Sequence, residues 1–342
     1  MDFLNKLKDA VSEKVAAVPV IKVTMMGPRA VGKTSVMASI FSETRDSVAG
    51  SRLYFRPAQE SAAELQDKRL KLMQIFEKKK DVYDEPQTGV IAASNVETTF
   101  GFEMGFAGRK KTVDIEIKDF PGEFLISKPS KVSEFIAESH IVIIAIDTPY
   151  LMEEGGRYNE EKNNVKQVSD FLTHHAESIQ DKLILFVPLK SERYFHDDRM
   201  DEVRQAVEQA YAGLIDFCKT ANIACVVSPI QTLGGVEFDR FVDNQRGGIS
   251  KLSKFRFCGN EPKYQPLFCV QPMYYLLTYV ANFYAWSVAH PKNVWERMKS
   301  SLVSTLKNND EFFFEVKKIS KNIMVDSMGY SVIVTNTILN IK

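Results

Sequence analysis

Apolar residues along this chain follow two patterns, strict alternation and continuous runs, and each predicts a different kind of strand. Phe100, Phe102, Met104 and Phe106 alternate with Gly101, Glu103 and Gly105. After Ala107-Gly108-Arg109-Lys110, a second alternation sets Val113, Ile115 and Ile117 against Asp114, Glu116 and Lys118. A period of two marks a half-buried strand, so this region predicts an antiparallel hairpin. Val18 to Met26, Ile141 to Ile146, Leu183 to Val187 and Ile223 to Val227 are instead unbroken apolar runs, as strands covered on both faces require. Helical patterns over 164–178 and 201–219 separate the last three. Connections of that length are crossovers, which make the pairing parallel. The expected fold is α/β, with a six-stranded, mostly parallel sheet, one antiparallel hairpin and helices on both faces.

Other segments read as helices around this sheet. Ala58 to Lys80 places Leu65, Leu72 and Phe76 on one face, within an insertion at about 50–95. Past Gly235 the chain reads as loop until it turns helical at Gln271, and Pro272 to Trp286 reads as a buried helix too short to span a bilayer. Helical segments near 294–307 and 311–318 and a β-rich tail at 330–341 read as an appended α/β extension over 291–342. At the other end, Phe3, Leu4, Leu7, Val11 and Val15 make residues 1–17 an amphipathic helix, which can dock on the body of the protein or contact a membrane surface or a partner. The main domain is then 18–290.

Composition narrows the possible functions. The 342 residues carry 44 Lys+Arg against 44 Asp+Glu, a net charge of 0, so no nucleic-acid partner is expected. With 44% hydrophobic and 26% charged residues the chain reads as globular, and its length supports a sizeable core. No run predicts a transmembrane segment, and the N-terminus lacks the order of a signal peptide. Cys218, Cys225, Cys258 and Cys269 have no regular spacing and read as reduced thiols of a cytoplasmic protein. The five histidines show no metal-ligand spacing along the chain.

The candidate chemistry begins where the first apolar run ends. Gly27-Pro28-Arg29-Ala30-Val31-Gly32-Lys33-Thr34-Ser35 fits the phosphate-loop pattern G-x-x-x-x-G-K-[ST], with a strand before it and a helix after it. Backbone N–H groups of such a loop close around phosphates, Lys33 reaches the β- and γ-phosphates, and the Thr34 hydroxyl binds Mg²⁺. Asp119 and Gly122, a D-x-x-G at the end of the hairpin, add a carboxylate that can hold Mg²⁺ through water and an N–H for the γ-phosphate.

This order resembles the Ras-like and translation-factor branch of P-loop GTPases. Val187-Pro188-Leu189-Lys190-Ser191-Glu192-Arg193-Tyr194, with Ser228-Pro229-Ile230-Gln231-Thr232-Leu233-Gly234-Gly235 after the last parallel strand, is similar to the bacterial double-GTPase families of signalling and conflict systems. The resemblance implies a GTP- and GDP-binding, GTP-hydrolysing switch that uses Mg²⁺ and works through a protein partner or a homodimer. It implies that Lys190 covers the guanine face, that Glu192 stands where the family uses Asp to accept from the base, and that Ser228 and Pro229 touch the base from the other side. Leu189 departs from the family's polar residue. Thr98 or Thr99, with Thr98 favoured by spacing, takes the place of the Mg²⁺-binding switch threonine. Glu123 stands where relatives carry a water-orienting Gln, as a water positioner or as a carboxylate repelled by phosphate. Arg29 is an in-loop arginine finger or a solvent-facing residue. An ATPase on the same fold and a nucleotide-binding scaffold without hydrolysis remain open on these residues.

Overall fold

The computed structural model describes residues 18–78, 82–83, 97–179, 182–245, 248–289, 310–336 and 338–339. The amphipathic pattern over 1–17, the 84–96 part of the insertion and the helical pattern near 294–307 lie outside the described residues. In chain order the strands are β1 (Val20–Met26), β2 (Leu53–Pro57), β3 (Val82–Tyr83), β4 (Thr98–Phe106), β5 (Lys111–Asp119), β6 (Ile141–Asp147), β7 (Leu183–Leu189), β8 (Ala224–Val227), β9 (Val236–Asp243), β10 (Lys251–Phe257) and β11 (Ser331–Val334). The longer helices are α1 (Lys33–Val48), α2 (Gln59–Lys78), α3 (Pro129–Glu138), α4 (Val165–His174), α5 (Met200–Ala210), α6 (Ala212–Ala221), α7 (Gln271–Ala289) and α8 (Asp310–Ile319). None of the helices is long and apolar enough to cross a membrane, among the described residues.

One sheet of eight strands runs β11-β8-β7-β6-β1-β5-β4-β2. β5, β1, β6, β7 and β8 are mutually parallel, and β4 and β5 form the expected antiparallel hairpin. The continuous apolar runs divide between two cores. Ile141, Ile143 and Ala145 of β6 pack with Val36, Met37 and Ile40 of α1 and with α7 on one face. Val142, Ile144 and Ile146 pack with α3, α4 and α6 on the other. Each such side chain contributes about 1.5–3 kcal/mol when fully buried, so a slip of one residue, which would swap the two faces, is opposed by the whole set. β5 is different because its outward face is charged: Val113, Ile115 and Ile117 are buried while Asp114, Glu116 and Lys118 are half-buried.

The structure adds to the sequence-based expectation in three places. β2 and β11 join the six expected strands as short antiparallel edges, β2 on β4 and β11 on β8. The five residues of β2 are too few to show a period, while β11 lies in the β-rich tail expected at 330–341 but pairs into the main sheet. The stretch after Gly235, expected to be loop, instead holds β9 and β10, which with β3 make a second, three-stranded antiparallel sheet. Val236, Phe238, Leu252 and Phe255 turn inward there, and a register shift at Lys254/Phe255 interrupts the alternation that would reveal the strand. Part of the expected extension joins the main sheet and core: β11 pairs with β8, and Phe312, Phe313, Val316, Ile319 and Tyr330 lie in the same cluster as Ile21 and Val23 of β1.

Candidate nucleotide site

Because β1, β5, β6, β7 and β8 are parallel, their carboxyl ends share one edge of the sheet, where ligands of open α/β folds bind. Gly27 follows β1, Asp119 ends β5, Asp147 ends β6, Lys190 follows β7 and Ser228 follows β8. Residues separated by up to 201 positions are thus brought to one rim by strand polarity alone.

The phosphate loop lies against both neighbours. Gly27 has φ +149°, and a Cβ there would lie 2.8 Å from the Ala145 carbonyl oxygen and 2.9 Å from the Ala145 Cβ of β6. Gly27→Ala is therefore expected to destabilise the protein by about 1–3 kcal/mol through backbone strain and overlap. Urea unfolding reads this directly; wild-type stability would mean that the loop does not rest on β6. On the other side, a Cβ on Gly122 would lie 2.9 Å from the Gly27 carbonyl oxygen, so the D-x-x-G turn touches the loop backbone to backbone. Ala30 takes the left-handed conformation at φ 59° at the centre of the loop.

Lys33, the first residue of α1, folds back into the loop. Its Nζ donates to the carbonyls of Gly27 at 3.0 Å and Pro28 at 3.2 Å and lies 3.6 Å from Asp119 Oδ1. The last distance is an ion pair too long for a hydrogen bond. Asp119 is 6% exposed, and its Oδ1 has no hydrogen-bond partner. Burial holds the Asp119 carboxyl above the usual range, and the Lys33 ammonium pulls it part of the way back. Across the β4–β5 ladder, Thr98 is the direct partner of Asp119, whereas Thr99 pairs with Lys118 and is exposed. Thr34 and Ser35 are half-buried, Val31 is buried, and Arg29 and Glu123 are exposed.

A buried carboxylate oxygen without a hydrogen bond, beside an ammonium and opposite a threonine, suits a hard divalent cation. Asp119, with Thr98 opposite it, fits Mg²⁺ in this respect.

The second half of the rim is built around Asp147, which the sequence did not single out, and Lys190, which it did. Asp147 is fully buried; its Oδ2 accepts from Lys190 Nζ at 2.6 Å and lies 3.8 Å from Lys162 Nζ. Lys190, at φ 60°, also donates to the Ala30 carbonyl at 3.2 Å, which links the β7 loop to the phosphate loop. Its Nζ lies 5.6 Å from the centre of the Phe255 ring on β10, so the second sheet flanks this side of the rim. An aspartate closing an otherwise apolar parallel strand was the available signal for Asp147.

Glu192 does not line the open rim. It is 3% exposed, and its Oε1 accepts from the backbone N–H groups of Leu233 at 3.3 Å and Gly234 at 3.4 Å. Burial raises its carboxyl above the ordinary range, and these N–H groups oppose the rise. Ser228 and Pro229 are buried as well: Ser228 N–H donates to Phe186 O of β7, and the Pro229 carbonyl accepts from Tyr330 Oη at 2.5 Å. Ser228 Oγ has no hydrogen-bond partner. Glu192 thus braces loop 231–234, which is also held by antiparallel bridges Gln231 to Leu267 and Gly234 to Tyr264.

A search of the curated proteins finds no match. Among solved structures, the chain is similar to the S. cerevisiae Ski7 GTPase-like domain bound to GTP, at 11% identity and TM-score 0.41, with 68% of this chain and 45% of that chain covered. The same domain bound to GDP and inorganic phosphate gives 10% identity and TM-score 0.37, over 68% and 46%. LeoA, a bacterial dynamin GTPase from ETEC, gives 16% identity and TM-score 0.31, over 94% of this chain and 41% of that one. The chain spans less than half the length of each of these. A family model described as Double-GTPase 2 matches residues 21–231, from β1 to the loop beyond β8. With well over half of its residues matched, and with the phosphate loop, the D-x-x-G turn and the Lys190 loop all inside the match, this chain belongs to the Double-GTPase 2 family.

Proposed function

We propose that the protein is a Mg²⁺-dependent GTP-binding and GTP-hydrolysing switch of a bacterial cytoplasm, acting in signalling or defence through a protein partner or self-association. The observation that carries this reading is the buried Asp119 carboxylate, set between Lys33 of the phosphate loop and Thr98 of β4. Thr34 and Thr98 would hold Mg²⁺ directly and Asp119 through water. The ion, when bound, neutralises charge on the β- and γ-phosphates. Lys33 and the loop N–H groups would bind the same phosphates, and the Gly122 N–H would sense the γ-phosphate. Such a sensor makes the D-x-x-G turn the natural switch, because loss of the γ-phosphate removes its partner.

Turnover would need an oriented water. Glu123 is the carboxylate next to Gly122, and Arg29 is the cation within the loop, and both are exposed, which suits completion of the site by a partner. The exposed Glu123 also supports a second reading, a nucleotide-binding scaffold that does not hydrolyse, since a carboxylate near the γ-phosphate is repelled. Phosphate release measured across a range of protein concentration separates the two. Phosphate release whose specific rate rises with concentration supports the switch, and no phosphate release at any concentration supports the scaffold.

For the base, Lys190 bridges to Ala30 of the loop, as a lysine lying along the guanine face would. Glu192 is buried and accepts from the Leu233 and Gly234 N–H groups, so to read the base it would exchange these for the two donors that guanine presents and adenine lacks. Glu192→Gln is expected to reduce the preference for GTP over ATP by about 10- to 100-fold, the worth of one charge-assisted hydrogen bond. Calorimetric titration with both nucleotides tests this. If both lose affinity equally, Glu192 serves only to brace loop 231–234, and an ATPase becomes the better reading if wild type also binds the two alike.

A further inference from the structure

We propose that His196, Glu237 and Cys258 form a site for a zinc-class divalent cation, separate from the nucleotide rim. His196 ends the short helix Glu192–His196, Glu237 is the second residue of β9, and Cys258 directly follows β10. Nothing in their spacing of 41 and 21 residues marks them as a set; the docking of the β9–β10 ribbon on that helix brings them together. One ligand atom from each, a nitrogen, an oxygen and a sulfur, lies within 4.8 Å of the other two.

The ribbon orients the donors. Arg256 and Glu237 face each other across the β9–β10 ladder, and Arg256 Nε and Nη2 both donate to Glu237 Oε1, at 2.9 and 2.7 Å. That leaves Oε2 directed at His196 Nδ1, 2.9 Å away. Cys258 is two residues beyond Arg256, hence on the same side of the ribbon, and its N–H donates to the Gly235 carbonyl. An outer-shell cation that fixes a ligating carboxylate is a usual feature of metal sites. Tetrahedral bonds of about 2.0–2.3 Å put donors roughly 3.3–3.8 Å apart. The 2.9 Å contact and the 4.8 Å limit bracket that separation, so small rotations of the three side chains suffice.

The donor set selects the ion. Imidazole, carboxylate and thiolate together favour Zn²⁺, with a fourth position for water, while Mg²⁺ prefers oxygen alone. The His196 side chain is 40% exposed, which leaves an entry path. Binding would release the Cys258 thiol proton to solvent as the sulfur becomes a ligand. The ion would tie the helix that begins at Glu192 to the second sheet, a structural role that does not depend on which nucleotide the rim takes.

The test uses the full chain, stripped of metal and without nucleotide. One equivalent of Zn²⁺ should bind, resist a large excess of Mg²⁺ and raise the unfolding temperature. Co²⁺ in its place should give a thiolate charge-transfer band, assignable to Cys258 because Cys218, Cys225 and Cys269 are buried elsewhere. Cys258→Ser should abolish that band, and both Cys258→Ser and the more exposed His196→Ala should weaken Zn²⁺ binding by about 100-fold or more. Arg256→Ala should weaken it by about 10- to 100-fold, as outer-shell partners do. The proposal is overturned if folded wild type binds no stoichiometric Zn²⁺, or if Cys258→Ser and His196→Ala retain wild-type affinity.

Discussion

Lys33→Ala is expected to raise the Kd for GTP by about a hundredfold or more, because it removes a desolvated cation whose loss typically costs about 2–5 kcal/mol. This ammonium is held by the carbonyls of Gly27 and Pro28 and faces Asp119. A triphosphate would substitute its own oxygens for these partners, so the lysine is already directed into the loop. The variant also leaves Asp119 without its cation, in surroundings that already raise its carboxyl pKa. An acid with a raised folded-state pKa favours folding while protonated and loses that contribution as pH rises through the raised value. The stability of Lys33→Ala relative to wild type should therefore fall as pH rises through the carboxyl range. Fluorescent-nucleotide titration and urea unfolding at acid and neutral pH read the two effects. A Kd within threefold of wild type would remove Lys33 from phosphate binding.

Asp119→Asn separates function from stability. The amide keeps the size of the side chain but removes the charge that burial opposes, so the nucleotide-free variant should unfold at no lower temperature than wild type at neutral pH. Its GTP affinity in Mg²⁺ should nevertheless drop to that of wild type in EDTA. Turnover should fall by about 10²- to 10³-fold, the usual cost of losing one preorganised electrostatic group. A variant that is strongly destabilised, yet still gains affinity on adding Mg²⁺, would show Asp119 to be a structural ion-pair partner of Lys33 and nothing more.

The parts of the site legible beforehand are those encoded in contiguous residues. The phosphate loop, Asp119 with Gly122, and the alternation of the hairpin are local patterns, and the hairpin register then sets Thr98 opposite Asp119. The base side was less legible. Lys190 could be placed after β7, but its pairing with Asp147 joins the ends of two strands whose neighbouring positions depend on sheet order. The burial of Glu192 depends on loop 231–234, which is held in turn by residues 264–267. Likewise, the β9–β10 ribbon is not legible in the sequence because its register shift and charged outward face dilute the period on which strand prediction relies.

The sequence by itself determined the phosphate chemistry and the parallel strands, because a glycine-rich turn and a run of aliphatic residues act on their own backbone and neighbours. Tertiary structure alone decided three other things: the Asp147–Lys190 pair, the joining of Tyr330 and α8 to the main core, and the meeting of His196, Glu237 and Cys258. Each is a contact between side chains far apart in the chain. Such contacts are set by which strand edges and helix ends pack together, and no local period records that choice.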